Sequence, residues 1–164
     1  MLQAQCGDRE ALELLLRQIQ PALRRYLTGL VGPTDADDLL QEILVLIFRK
    51  IRSVSMPELF RPWVFRIASR AGLRHLKKER QRREKTEENV CLEELVAPVA
   101  RPPQELLMDS VPPASRAVLL LHFQEDLPLA DVAAILDLPL GTVKSRLAYG
   151  LSVLRKQLGK ERKV

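Results

Sequence analysis

The sequence predicts an all-α fold of two small helical domains joined by a flexible linker, and three observations predict it. Apolar residues recur at helical spacing through most of the chain, as in Leu12, Leu15, Leu16, Ile19 and Leu23. Aromatic residues are only 4% of 164, which argues against a large β-sandwich. Residues 86–109 break the helical pattern. They hold Pro98, Pro102 and Pro103 and an acidic excess, which is the composition of a linker. The predicted units are therefore 1–85, the linker 86–109, and 110–164. A hydrophobic content of 46% is enough for a buried core.

The elements follow in order. A first helix is expected from about Asp8 to Leu30, kinked or split where Pro21 interrupts the backbone hydrogen bonds. Gly32-Pro33-Thr34-Asp35 reads as a turn and a helix cap. The second helix runs from about Asp35 to Ile51, with Leu40, Ile43, Leu44, Ile47 and Ile51 as its core stripe. Ser53 to Pro57 reads as a loop. A third helix begins near Arg61-Pro62 and reaches about Lys85, burying Val64, Ile67, Ala68 and Ala71. Within the linker, local helix is possible around Cys91 to Leu95. Ser110 then caps a helix with Pro112 and Pro113 in its first turn, which extends to about Gln124.

The most informative stretch is LPLADVAAILDLPLGTVKSR, residues 127–146. Leu129, Val132, Ala133 and Leu136 form one buried face, and Ala133 is short enough for two helices to cross closely. Asp137 tolerates a left-handed turn, and Pro139 sets φ for a new helix reaching about Leu158. That helix offers Thr142, Lys144, Ser145 and Arg146, while Val143 and Leu147 face the core. Hydroxyls and cations near a helix N-terminus suit a DNA major groove.

Charge is segregated. Residues 61–85 carry ten Lys and Arg against two acids, residues 86–110 six acids against Arg101, and residues 141–164 seven bases against Glu161. Two basic segments separated by an acidic one point to a polyanion bound at two places. In the third helix Arg66, Arg70, Arg74 and Lys77 form a row opposite the apolar stripe, with Lys78 beside it, and almost no acid neutralises it. Trp63 is expected in the core. Phe60 and the loop residues Arg52 and Ser53 are candidates for base contact. On the second helix Asp38, Gln41, Glu42, Val45 and Arg49 lie opposite the core stripe, an acidic and apolar face fit for a protein partner.

Enzyme chemistry finds no support. His75 and His122 lack a neighbouring ligand set, Cys6 and Cys91 have no metal spacing, and no phosphate loop or nucleophile elbow occurs. No apolar run is long enough to cross a bilayer, and MLQAQCGDRE is acidic where a signal peptide is apolar, so a cytoplasmic protein is expected.

Taken in order, DADDLLQE, FRPWVFRIASRAGLRHLKK, SVPPASRAVLLLHF and LADVAAILDLPLGTVKSRL make the chain resemble the ECF type of bacterial RNA polymerase sigma factors, group IV of the sigma-70 family. The resemblance covers roughly residues 8–158 and implies a region 2 domain, a linker and a region 4 domain. It implies that Asp35, Asp37, Asp38, Gln41, Glu42, Val45 and Arg49 dock on the coiled-coil of the largest subunit of core RNA polymerase. Arg52, Ser53, Phe60, Arg66, Arg70, Arg74, Lys77 and Lys78 would open and read the −10 element as duplex and single strand. Thr142, Lys144, Ser145 and Arg146 would read the −35 element, while region 4 also holds the polymerase flap. An anti-sigma factor is a further implied partner. No catalytic residue, metal, cofactor, small-molecule substrate or direct membrane insertion is implied. The chain departs from the family pattern at Asp137, where many relatives have Gly, and at Gly72 and Arg74, where many have Asn or Asp. After Arg146 it has Ala148, Tyr149, Gly150 and Ser152 in place of further arginines, and Gly150 costs roughly 1 kcal/mol against Ala in a helix. The rival reading from the residues is a dimeric helix-turn-helix regulator that binds a palindrome, with the second helix as its self-interface.

Overall fold

Residues 1–54, 56–87 and 108–161 are described in the computed structural model, and every regular element among them is a helix. A short α1 (Leu2–Gln5), absent from the sequence expectation, is tied down by Gln5, whose side-chain amide donates to the carbonyls of Ile51 and Val54. Asp8 caps α2 (Arg9–Val31), accepting from the backbone N–H groups of Glu10 and Ala11 at 3.0 and 3.1 Å. The expected split at Pro21 does not occur, and α2 continues through it. Ile19 and Leu23, on either side, are buried, and that packing outweighs one missing backbone hydrogen bond.

Gly32, at φ 93°, ends α2 and starts α3 (Pro33–Lys50) in a single residue, a conformation that suits glycine. The expected loop contains two 3-10 turns, Ile51–Ser53 and Pro57–Leu59, and leads into α4 (Phe60–Glu87). Leu23, Tyr26, Leu27 and Leu30 of α2 pack with Ile43 and Ile47 of α3 and Val64, Phe65 and Ala68 of α4, all fully buried. Tyr26 meets Phe65 edge-on, ring centroids 5.5 Å apart, and shares a 2.7 Å hydrogen bond with Ser69. The buried face of α4 is therefore turned toward Phe65 and Ser69, and Ile67 and Ala71 are half-buried at its edge.

The second half begins with α5 (Pro113–Leu119). Pro112, rather than Ser110, occupies the cap position, and its carbonyl accepts from the N–H groups of Ser115 and Arg116. Leu120–Gln124 continues as a π-helical turn, with Glu125 N–H bonded to Leu120 O at 3.2 Å. Then come α6 (Leu129–Leu136) and α7 (Leu140–Glu161). Gly150 is buried where α7 crosses α5: a Cβ there would lie 2.8 Å from Leu119 Cδ1. A Cβ on Gly72 would lie 2.6 Å from Leu30 Cδ2, so both departures from the family pattern permit close helix approach. The linker 86–109, apart from its ends, and the possible helix at Cys91 to Leu95 lie outside the described residues.

The two halves pack on each other, α4 against α6 and α2 against α5 and the π turn. Arg116, 6% exposed, crosses the junction. Its Nη1 donates to Leu30 O at 3.1 Å and to Asp109 Oδ1 at 3.2 Å, and its Nη2 to Asp109 O and Val111 O at 2.9 and 3.1 Å.

Burial holds the Tyr26 phenol well above its ordinary value; the bond to Ser69 opposes this, and the charge of Glu125 adds to it. The unfolded phenol ionises near pH 10 while the folded one stays protonated, so this group's stabilisation is lost as pH rises past about 10. Tyr26→Phe should cost about 1–3 kcal/mol at neutral pH by leaving Ser69 without its partner. In urea unfolding, the gap between wild type and variant should shrink above about pH 10; a constant gap would contradict this account.

Candidate nucleic-acid and protein interfaces

On α3 the apolar stripe is buried, which turns Asp38, Gln41, Glu42, Val45 and Arg49 to solvent along one face. Leu46 joins them, and Phe48 is 59% exposed beside Arg49. A contiguous apolar and acidic strip of this kind is a candidate protein-binding surface. Asp35 and Asp37 are engaged within the chain. Asp35 Oδ2 lies 3.0 Å from His75 Nε2 of α4, and Asp37 receives Arg24 in a two-pronged bond at 2.8 and 2.9 Å. That bond, and then the carboxylate's charge, holds the Arg24 guanidinium above its ordinary pKa.

The basic row of α4 divides in two. Arg74, Lys77 and Lys78 are exposed, as are Arg52 and Ser53 in the turn before the helix. Arg66, half-buried, and Arg70, itself exposed, reach across to the second half of the chain. Arg66 Nη2 donates to Ala134 O at 3.0 Å, and Arg70 Nη2 lies 3.7 Å from Asp137 Oδ2. Ala134 sits in the last turn of α6, where carbonyls lack helical partners and the helix dipole is negative, so a guanidinium is well placed there. Phe60, expected at the nucleic-acid surface, is only 6% exposed. It packs at the first turn of α4 with its ring centroid 6.3 Å from that of Trp63, because burying a phenyl ring is favoured over leaving it in water. Trp63 itself is half-buried.

The helix-turn-helix has the expected geometry. Asp137 is left-handed at φ 57° and ψ 51°, and Leu138 N–H closes back onto Ala133 O at 3.0 Å. Val132, Ala133, Ile135 and Val143 are buried between α6 and α7. Lys144 and Ser145 are exposed, and Thr142 and Arg146 are half-buried. Ser145 Oγ donates to Thr142 O at 2.9 Å, so one polar group is satisfied locally. Ala148 and Tyr149 continue the exposed face one turn further along α7.

One constellation escapes the sequence reading altogether. The Glu125 carboxylate is fully buried at the end of the π turn, between two arginines of the first half. Arg61 Nη2 donates to Glu125 Oε2 at 3.1 Å and to its carbonyl at 3.0 Å, and Arg25 Nη2 lies 3.5 Å from Oε1. Arg61 also lies over the Phe65 ring, 5.6 Å from its centroid. Nothing local in LHFQEDLP signals partners this distant in sequence.

Residues 15–83 match the model for sigma-70 region 2, and residues 107–156 match that for sigma-70, region 4. The chain is 27% identical over 173 residues to the ECF RNA polymerase sigma-E factor of Haemophilus influenzae, covering 94% of this chain and 90% of that one. It is 31% identical over 170 residues to the ECF RNA polymerase sigma factor SigE of Mycolicibacterium smegmatis, covering 94% and 65%. Two solved structures share the fold. The sigma factor RpoE in complex with the anti-sigma factor NepR from Bartonella quintana superposes with a TM-score of 0.71 at 23% identity, covering 90% of this chain and 96% of that one. CnrH in complex with the cytosolic domain of CnrY gives 0.73 at 21% identity, covering 97% and 94%.

The left-handed turn can be tested directly. Asp137→Val should destabilise the fold by about 1–2 kcal/mol, because a β-branched residue resists positive φ, whereas Asp137→Gly should be tolerated. Thermal unfolding of both variants reads this, and equal stability would contradict the turn geometry as the reason for Asp137.

Proposed function

The chain belongs to the ECF type of the sigma-70 family, an RNA polymerase sigma factor that directs promoter-specific transcription initiation, and we propose how its surfaces divide that work. The observation that carries the reading is that matches to region 2 and region 4 occur in this order on one chain. The exposed strip Asp38, Gln41, Glu42, Val45 and Arg49, with Leu46 and Phe48, is the face offered to the coiled-coil of the polymerase largest subunit. Its acids meet basic groups of the partner, and its apolar side chains leave water on docking. Asp35 and Asp37 shape this face from its edge through His75 and Arg24.

Region 2, residues 1–85, supplies the −10 contact. Arg74, Lys77 and Lys78 neutralise phosphates, Arg66 and Arg70 extend that row, and Arg52 and Ser53 approach bases from the turn. Capture of unstacked bases shifts the duplex toward its open form, so strand opening needs no catalytic group. Region 4, residues 110–164, supplies the −35 contact through Thr142, Lys144, Ser145 and Arg146, and it also binds the polymerase flap. Held on one polymerase, two weak DNA contacts act together through effective concentration.

Control by an anti-sigma factor is part of the proposal. It is supported by the two structural neighbours, each solved with a partner of that kind or with a cytosolic domain bound. We place the protein in the cytoplasm with the polymerase; no described helix is long and apolar enough to cross a membrane.

Two measurements test these roles. Asp38→Lys combined with Glu42→Lys should abolish co-elution with core RNA polymerase while leaving the circular dichroism spectrum unchanged; retained co-elution would sink the docking assignment. Arg146→Ala should weaken binding of the holoenzyme to −35-containing promoters and relax sequence preference, by about 1–3 kcal/mol if it reads a guanine. A uniform loss over all sequences would make Arg146 a phosphate contact instead.

A further inference from the structure

Past Arg146 the chemistry offered by α7 changes, because residues 147–154 carry no charge. Tyr149 is the large side chain of that stretch that stands in solvent, at 55% exposure. At about 100° per residue it lies within about 20° of Thr142 and about 40° of Ser145 around the helix. It therefore extends the face that presents those two residues. Ala148, also exposed, adds only a methyl group. Gly150 is buried where α7 crosses α5, with Leu119 Cδ1 2.8 Å from the place of a Cβ, so the helix is held closely one residue from Tyr149. Ser152 Oγ donates to Tyr149 O at 2.7 Å, as Ser145 Oγ does to Thr142 O at 2.9 Å, so both hydroxyls are satisfied within the helix. The next cation, Arg155, lies about 13.5 Å beyond Arg146 along the axis and on the opposite side of the helix. What α7 offers outward after Arg146 is an aromatic ring and a methyl group.

We propose that Tyr149 is a specificity-determining residue that reads the methyl group of a thymine in the −35 element. The proposal rests on the assignment of α7 to that element made above, and it names the base that one position selects. Thymine presents a C5-methyl group in the major groove, which an apolar side chain recognises by burying it. Guanine and adenine present polar edges there, and a phenol ring returns no bidentate bond for the water they would lose. Tyr149 lies about 4.5 Å along the axis from Arg146, close to the rise of about 3.4 Å between base pairs. The thymine it reads belongs to the pair next to the one that Arg146 addresses. A ring with two rotatable bonds is also held in place at low conformational cost.

Uracil lacks only that methyl group, so replacing thymine by uracil isolates the contact. Binding of the holoenzyme, this chain with core RNA polymerase, is measured on fluorescent promoter duplexes selected from a library randomised in the −35 element. Selected elements should carry a thymine beside the pair whose preference relaxes in Arg146→Ala. Uracil at that thymine should weaken wild-type binding about fourfold, the value of one buried methyl group. Tyr149→Ala should bind the two duplexes equally, whereas Tyr149→Phe should keep the discrimination because the ring and not the hydroxyl makes the contact. Circular dichroism checks that both variants fold. Equal wild-type affinity for thymine and uracil throughout the element would overturn the proposal, as would discrimination that survives in Tyr149→Ala. Loss of affinity in Tyr149→Ala that is uniform over all sequences would also overturn it and make the residue a phosphate or polymerase contact. Arg146→Ala separates the two levels of the argument. If it relaxes sequence preference while Tyr149→Ala leaves the uracil effect intact, the reading of α7 stands and only the thymine contact falls. If wild-type holoenzyme selects no −35 sequence at all, the reading of α7 falls first.

Discussion

A guanidinium keeps its proton at any ordinary pH, so burying one demands that acceptors surround it. Arg116 meets that demand at the point where region 4 joins region 2. Burial pulls its pKa down and the Asp109 carboxylate opposes that pull, and the backbone supplies most of the acceptors. One of those is Leu30 O, in the last turn of α2, a carbonyl that its own helix leaves unpaired. The side chain thus fastens the entry to region 4 onto the end of the helix that organises region 2. The position of α5 follows from it, then the direction of the π turn, then the place where Glu125 reaches Arg25 and Arg61. Losing the guanidinium would leave several buried carbonyls without donors at once, so the junction stands or falls as a unit.

Local physics made much of this legible in the sequence. The apolar period from Leu12 onward placed the start of α2 near Asp8, and the same reasoning placed the long helices to within a few residues. Asp137 and Pro139 identified the turn of the helix-turn-helix because backbone conformation there is a property of single residues. What stayed hidden depends on distant partners. Pro21 signals a break, yet α2 continues because flanking side chains are buried by α3 and α4. The α3 face was readable as a strip, but the capture of Asp35 by His75 and of Asp37 by Arg24 was not. Phe60 illustrates the same limit: an aromatic ring in a basic context fits either a stacked base or a packed core, and only the neighbours decide. The row of cations on α4 was visible by spacing, whereas the reach of Arg66 to Ala134 and of Arg70 to Asp137 required the assembled chain.

The strip proposed for the polymerase and the faces proposed for DNA lie on different helices, the first on α3 and the others on α4 and α7. The α3 strip proposed to face the polymerase is exposed while the two halves are packed together. Part of the α4 row also reaches the second half of the chain, Arg66 donating to Ala134 O and Arg70 lying 3.7 Å from Asp137. The pair of Arg70 with Asp137 is exposed and weak in water, whereas the Glu125 carboxylate is fully buried between Arg25 and Arg61.

The π turn at Leu120–Gln124 carries a consequence for how such a protein can diverge. One residue more than an α-helical turn is accommodated there without breaking the buried run Leu119, Leu120 and Leu121. Loss of a single codon in this stretch would restore ordinary helical pitch and rotate everything downstream by about 100°, the angle of one residue. The aim of α7 is therefore encoded partly in length, independently of which side chains it presents. Lineages that differ here by one residue could retain every side chain of α7 proposed to contact DNA and still aim them in a different direction.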